Sequence, residues 1–392
     1  MTIAQPPIAA ISRIWPLRIP MPLVVALIPA AFVIIGLVIR YFAYAASVPD
    51  ATLAGFPLGM CRWDCGWYIK IAEKGYDGYP IPNMINAGNW AFFPLMPMFV
   101  GLVHFVTQLP TMPLATGLSI GLSYLTALLG WPLLEKNLRA YTLFSAYLLA
   151  GPFSIYFTTI YTEVMFILLS TGVLLVLKYR SYLAAGGLAA LLSATRIVGV
   201  IMALAILVQA FLDHRAAGQP LRTFVPAVLK RPDIVLGLVL APLGLALYML
   251  FLNYWIGDGL AFLHVQRAWA RSYGNPVMFV WQALSNMPKT GFIPTASQQL
   301  AAAVITGFVL TGVLAWRRQW AAASFALLCL VVPLFGGMAS TLRFTAALAP
   351  IVLLACELLG TWRIVFALSL LGFFVADYFV ATNWISGALS LV

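Results

Sequence analysis

The sequence predicts an all-α polytopic membrane protein, and three observations carry that prediction. Residues of the apolar set make up 63% of the 392-residue chain and charged residues only 8%, against roughly a quarter charged in soluble domains. The mean hydropathy is +0.97. Apolar runs of about 20 residues, the length that crosses a bilayer as a helix, recur along nearly the whole chain. Too little polar surface remains to coat a water-soluble globule, and no short alternating segments of the kind that build a membrane β-barrel occur.

Taken in order, the runs predict spans over 21–46, 113–134, 140–158, 161–177, 182–194, 197–212, 234–256, 298–316, 320–336, 345–361 and 364–384, about 11 crossings. The 22 Lys and Arg against 11 Asp and Glu orient them. Arg13, Arg18, Lys136, Arg139, Lys178, Arg180, Arg215, Arg222, Lys230, Arg231, Arg317, Arg318 and Arg363 lie in short stretches between runs, as cytoplasmic loops require. The positive charge therefore reports topology and does not call for a nucleic-acid partner. A crossing at 91–108 would put the basic loops at 135–139 and 178–180 outside. That run, with Pro94, Pro97, Gly101 and His104, is read instead as lying on or dipping into the outer face, which leaves the C-terminus external. The stretch from Met21 to Ile39 is longer than a signal-peptide core and reads as an uncleaved first helix. Residues 182–212 read as a hairpin of short helices whose turn puts Arg196 towards the outer side, an arrangement tolerated only beside a protein cavity. Residues 1–392 thus form one integral membrane domain with two long external segments, 47–112 and 257–297.

The first external segment holds the densest polar cluster, Cys61-Arg62-Trp63-Asp64-Cys65-Gly66-Trp67-Tyr68 followed by Lys70, Glu73 and Lys74. As one helix this would put Trp63 and Trp67 on one side at headgroup level, with Asp64 and Tyr68 on the next stripe. The alternative is that Asp64 merely pairs with Arg62 or Lys70 on a wetted loop. Cys61 and Cys65 read as two unremarkable thiols, since helical spacing seldom suits a disulfide, and Cys329 and Cys356 read as small core residues. Asn89-Trp90-Ala91-Phe92-Phe93-Pro94 is suited to a bent, ring-lined wall, or else to an ordinary kinked interface helix.

Glu163, opening a span on the external side, is a functional candidate by its cost in that position, although a helix N-terminus also favours a carboxylate. Arg196 and Arg343 break apolar surroundings on the external side and are suited to grip a phosphate; pairing with Glu163 or an external Asp is the alternative. The second external segment brings His264, Gln266 and Arg267 close together in sequence, beside Asp258 and Arg271. No phosphate-binding loop, dinucleotide glycine motif or metal-ligand triad is present.

In order along the chain, Arg62-Trp63-Asp64-x-x-Trp67-Tyr68, Asn89-Trp90-Ala91-Phe92-Phe93-Pro94-Leu95-x-Pro97, Tyr161-Thr162-Glu163, Ala194-Thr195-Arg196, Gly257-Asp258-x-Leu260-Ala261-Phe262 and Arg343-Phe344 resemble the PIG-V family, which includes the second mannosyltransferase of GPI-anchor assembly. The resemblance implies a GT-C type fold with juxtamembrane helices in two long external loops. It implies an inverting mannosyltransferase that uses polyprenyl-phosphate mannose at the external face, with Asp64 as the essential acidic residue of the first external loop. On that reading Asp64 is general base, Arg196 and Arg343 bind the donor phosphate, and Arg62, Trp63, Trp67, Tyr68, Asn89, Trp90, Glu163, His264, Gln266 and Arg267 line the substrate site. A lipid phosphate as leaving group needs no divalent metal, so neither metal nor other cofactor is expected. The partners expected are the donor, an acceptor glycolipid or envelope glycan and the bilayer, in the inner membrane of a bacterium with the site facing the periplasm; an accessory subunit stays open. The competing class is a membrane transporter or lipid flippase, which would also use intramembrane charge and broken helices.

Overall fold

The computed structural model describes residues 20–80, 87–269, 271, 273–285 and 296–387. Arg13, Arg18 and Lys289 lie outside these. Every regular element among the described residues is a helix: α1 (Met21–Ser47), α2 (Phe56–Met60), α3 (Cys65–Lys74), α4 (Leu95–Thr107), α5 (Thr111–Leu133), α6 (Leu138–Ala150), α7 (Ser154–Thr158), α8 (Thr162–Lys178), α9 (Tyr182–Ser193), α10 (Met202–Ala216), α11 (Phe224–Leu229), α12 (Pro232–Leu240), α13 (Leu243–Ile256), α14 (Ala261–His264), α15 (Pro276–Ser285), α16 (Ala296–Trp316), α17 (Trp320–Leu334), α18 (Thr341–Ala346), α19 (Ala349–Leu359) and α20 (Arg363–Ile385).

The chain is an α-helical polytopic membrane protein. Six of the helical stretches are long and apolar enough to cross a bilayer: Met21–Ser47, Thr111–Leu133, Ile197–Ala216, Pro232–Ile256, Ala296–Trp316 and Arg363–Ile385. All six fall on predicted spans. The other five predicted spans correspond to shorter helices. The predicted span 140–158 is split into α6 and α7 at Gly151-Pro152-Phe153, because Pro152 has no N–H to continue the ladder. The predicted span 345–361 loses its first turn to α18 and keeps only α19. The run at 91–108 forms α4, 13 residues long and too short to span, as its prolines suggested.

At the centre lies α8, buried on every side along most of its length, the pattern of a helix wholly enclosed by others. Around it pack α5, α7, α9 and α19. Small residues set the closest approaches: a Cβ at Gly186 of α9 would lie 2.3 Å from the Gly237 Cα of α12, and one at Gly36 of α1 would lie 1.9 Å from the Leu149 carbonyl oxygen of α6. The predicted basic loops gather at one end of the bundle, where Lys178 Nζ donates to the Pro132 carbonyl at 2.8 Å, Arg180 pairs with Asp213 at 3.2 Å and Arg317 pairs with Glu357 at 2.7 Å. The opposite end carries α2, α3 and the starts of α8 and α18.

One turn beyond Gly36, Arg40 is fully buried in α1. Its Nη1 lies 3.1 Å from the Leu149 carbonyl oxygen, 2.5 Å from Ser154 Oγ and 3.2 Å from Asp377 Oδ2, and Ser154 donates to Asp377 Oδ1 at 2.8 Å. This cluster ties α1, α6, α7 and α20 together. Removing one partner strands a buried charge, which costs about 3–5 kcal/mol. Asp377→Ala is therefore expected to lower the thermal unfolding midpoint in detergent sharply, and the paired replacement Arg40→Met with Asp377→Leu to recover most of the loss.

Candidate active site

The site begins at a turn and not, as the spacing suggested, on a continuous helix. Cys61 leaves α2 with extended backbone, Trp63 adopts the left-handed conformation at φ 53°, and Asp64 stands immediately before the first residue of α3. Because Cys61 lies outside the helix, its Cα comes within 5.4 Å of that of Cys65 and the two are joined in a disulfide. This corrects the reading of two free thiols; Cys329 and Cys356 are free and buried, as expected. Trp63 and Trp67 accordingly do not share a helix face. Neighbouring elements pin the turn: Trp384 Nε1 donates to the Met60 carbonyl at 2.8 Å, Arg62 Nε donates to the Ile385 carbonyl at 3.0 Å, and the Tyr161 hydroxyl donates to the Arg62 carbonyl at 2.8 Å.

From Asp64 an alternating chain of charges runs inward. Arg343 Nη1 donates to Asp64 Oδ2 at 2.7 Å, and Arg343 Nε lies 2.7 Å from Glu163 Oε1 in an ion-pair contact off the line of a hydrogen bond. Arg196 closes the chain by pairing with the same Glu163 oxygen. Glu163 is fully buried in the first turn of α8, where the helix N-terminus adds favourable field. Arg196 sits in the break between α9 and the 3₁₀ turn Ile197–Ile201. Its guanidinium stacks 4.4 Å over the Phe344 ring, and that of Arg343 lies 5.3 Å over Tyr161. Asp64 thus pairs with neither Arg62 nor Lys70; Lys70 is held by Asp77 at 2.7 Å.

Above this chain opens a cavity of about 890 Å³, within the usual range for a ligand site. Its polar floor includes Asp64, Thr162, Thr195, Arg196, Ser340 and Arg343. An aromatic wall rises from it, with Trp67 stacked on Phe92 at 5.5 Å and Trp269 set edge-on to both. Tyr68 faces the floor, 3.4 Å from Thr162 Oγ1. Burial, reinforced by Glu163, pushes its hydroxyl well above the usual tyrosine range, so it remains protonated at neutral pH. Trp63 and Ser340 both border the cavity in left-handed backbone, unusual for residues with a side chain. Such outliers concentrate at functional sites.

Of the residues singled out by sequence, Asp64, Trp63, Trp67, Tyr68, Arg196, His264, Gln266, Arg267 and Arg343 line this cavity. Glu163 lies beneath it as counter-ion. Three others do not reach it. Arg62 points back to α20. Asn89 is buried and braces a loop, accepting from the Asp77 N–H at 2.9 Å and donating to the Gly75 carbonyl at 3.1 Å. Trp90 donates to the Asp77 carbonyl at 2.8 Å. His264 is exposed at the rim, 2.7 Å from Asp258.

The structure adds Arg271, which the sequence reading did not place in the site. It projects into the cavity and donates to Ser340 Oγ at 3.2 Å. Among the described residues no carboxylate lies within ion-pair distance of it, and burial, then repulsion by Arg343, lowers its pKa. The one available signal was a cation in an external segment, which it shares with Arg267. Among the described residues no three His, Cys, Asp or Glu come together as a metal site.

No family model matches the chain, and no curated protein matches it. Solved structures similar to it are of the Archaeoglobus fulgidus oligosaccharyltransferase. They are the apo form (13% identity, TM-score 0.49, 91% of this chain and 56% of that one), the complex with Zn and sulfate (16%, 0.48, 92% and 53%), and a form tethered by a disulfide to an acceptor peptide containing the NVT sequon (13%, 0.47, 92% and 55%). The chain spans a little over half the length of these structures.

Because Asn89 braces backbone and does not face the cavity, Asn89→Ala is expected to destabilise by about 1–3 kcal/mol, the cost of leaving buried backbone groups unpaired. Thermal unfolding should show this loss, and hydrogen exchange should rise at residues 75–77.

Proposed function

We propose that the chain is a GT-C type inverting glycosyltransferase that moves mannose from a polyprenyl-phosphate donor to an acceptor hydroxyl, on a glycolipid or envelope glycan. One observation carries the reading: motif runs scattered from residue 62 to residue 344, those that resemble the PIG-V family, each send at least one residue to the wall or floor of one cavity. In that floor a single carboxylate, Asp64, is held by a buried guanidinium.

The chemistry follows from the placement. Arg343 engages Asp64 Oδ2, and among the described residues no hydrogen bond is made to Oδ1, which is left to accept a proton. In the proposed step the acceptor oxygen attacks the anomeric carbon as its proton passes to Asp64. The bond from that carbon to the phosphate oxygen breaks on the opposite face, with inversion, and the lipid phosphate leaves with the electron pair. Guanidinium groups fixed beforehand where that charge develops lower the barrier. Arg271, free of any carboxylate among the described residues, takes the leading part, with Arg343 and Arg196 behind it. The aromatic wall of Trp67, Phe92 and Trp269 offers flat faces for a sugar ring. The step uses no metal.

Orientation follows from charge. The basic end of the bundle faces the cytoplasm, so the cavity opens at the external face, the periplasm if the membrane is the inner membrane of a bacterium.

The test is a transfer assay in detergent with labelled polyprenyl-phosphate mannose and a lipid extract of the source cell. Wild type is expected to move label to a new lipid. Asp64→Asn should lose at least about a hundredfold in turnover, the scale of a lost general base, while melting near wild type; loss of folding instead would make Asp64 structural. Arg271→Ala should raise donor KM more than it lowers kcat. Absence of donor binding in wild type would favour transport.

A further inference from the structure

We propose that the Cys61–Cys65 disulfide is a positioning clamp for Asp64, and that dithiol reductants switch the site off by opening it. The proposal rests on the transferase reading for its kinetic consequence, but its structural part stands on geometry alone.

The disulfide closes a ring of five residues, Cys61 to Cys65, around the turn that carries Asp64. Upstream the chain is fastened to α20 and to Tyr161 through the Met60 and Arg62 carbonyls and the Arg62 side chain. Downstream, Cys65 is buried at the start of α3. Between these anchors stand Trp63 and Asp64. Trp63 is half exposed and borders the cavity in left-handed backbone, a conformation the L-configuration disfavours. To the hydrogen bonds that pin the turn the covalent link adds the one restraint that a reductant removes. With it open, Trp63 relaxes towards extended or helical backbone, and the following residue, Asp64, rotates away from Arg343.

The exchange is balanced. A thiolate of the dithiol attacks the sulfur of Cys61, the less buried of the pair, and Cys65 leaves as thiolate and is protonated. The second thiol of the reductant then displaces Cys61, so that two cysteine thiols form and the dithiol becomes a disulfide. Structural disulfides persist in oxidising compartments, which puts Asp64 on the non-cytoplasmic side, in agreement with the charge distribution.

The experiment uses the full chain in detergent, oxidised and after dithiothreitol. Of four cysteines, two should be alkylatable after denaturation without reductant and four with it. Reduction should raise hydrogen exchange at residues 62–66. It should lower kcat for transfer from polyprenyl-phosphate mannose at least about tenfold, the scale of a sub-ångström displacement of a reacting group. Donor KM should stay within about twofold, as for an interaction made only in the transition state, and reoxidation should restore the rate. The C61S/C65S variant should match the reduced enzyme and ignore reductant; should it fail to fold, reversible reduction of wild type supplies the same comparison. Four alkylatable thiols before reduction, or unchanged exchange and turnover after it, overturns the clamp. If wild type transfers no sugar, the transferase reading fails while the exchange measurement still decides the clamp.

Discussion

The alternating chain Asp64–Arg343–Glu163–Arg196 is the constraint on which the rest of the molecule turns. Two guanidinium groups and a carboxylate buried among apolar helices are tolerable only if they neutralise one another. Here two positive and two negative charges do so in series. Glu163 is the fixed point, because it opens α8, and α8 is enclosed by its neighbours and has nowhere to move. The three partners arrive from the α2–α3 turn, the break after α9 and α18. Bringing them together closes the outer end of the bundle and builds the cavity floor in the same act.

A second buried ion pair anchors this arrangement from behind. Arg40 and Asp377, both buried, lock α1 to α20 through Ser154. About two turns further along α20, Trp384 and the Ile385 carbonyl hold Met60 and Arg62. The register of α20 set by Asp377 therefore fixes where the Asp64 turn begins. One pair acts as a structural tie, and the other, open to a cavity on one side, leaves Asp64 Oδ1 without a hydrogen bond among the described residues.

The six long apolar helices were legible in the sequence because length and hydropathy alone define them. The short ones were legible as apolar runs but not in their breaks: Pro152 divides 140–158, and a break after Ala346 detaches α18. Arg196, Glu163 and Arg343 stood out because each breaks an apolar context. Arg40 and Asp377 break theirs equally and obey the same rule, but they lie well inside predicted spans, away from the external ends where Glu163, Arg196 and Arg343 stand. The Cys61–Cys65 link was hidden by the assumption of an unbroken helix: nothing in a tryptophan announces left-handed backbone, and that one residue changes the geometry of the pair. Asn89 and Trp90 look chemical beside aromatic residues but satisfy the backbone of Gly75 and Asp77, a distinction only coordinates supply.

The same geometry separates the arginines by what they can still bind. Arg196 and Arg343 share one carboxylate oxygen of Glu163, and Arg343 also holds Asp64, so an anion entering the cavity meets two charges already largely neutralised. Among the described residues Arg271 is hydrogen-bonded to a serine hydroxyl, and burial and repulsion from Arg343 outweigh the attraction of Asp64, so on the proposed reading an arriving phosphate relieves an unfavourable environment there instead of breaking a favourable one. Anion affinity would then grow from Arg271, while the paired arginines keep the floor rigid and Asp64 aimed. On the proposed reading binding and proton transfer are thereby carried by different residues in one electrostatic field, which lets each be altered without dismantling the other.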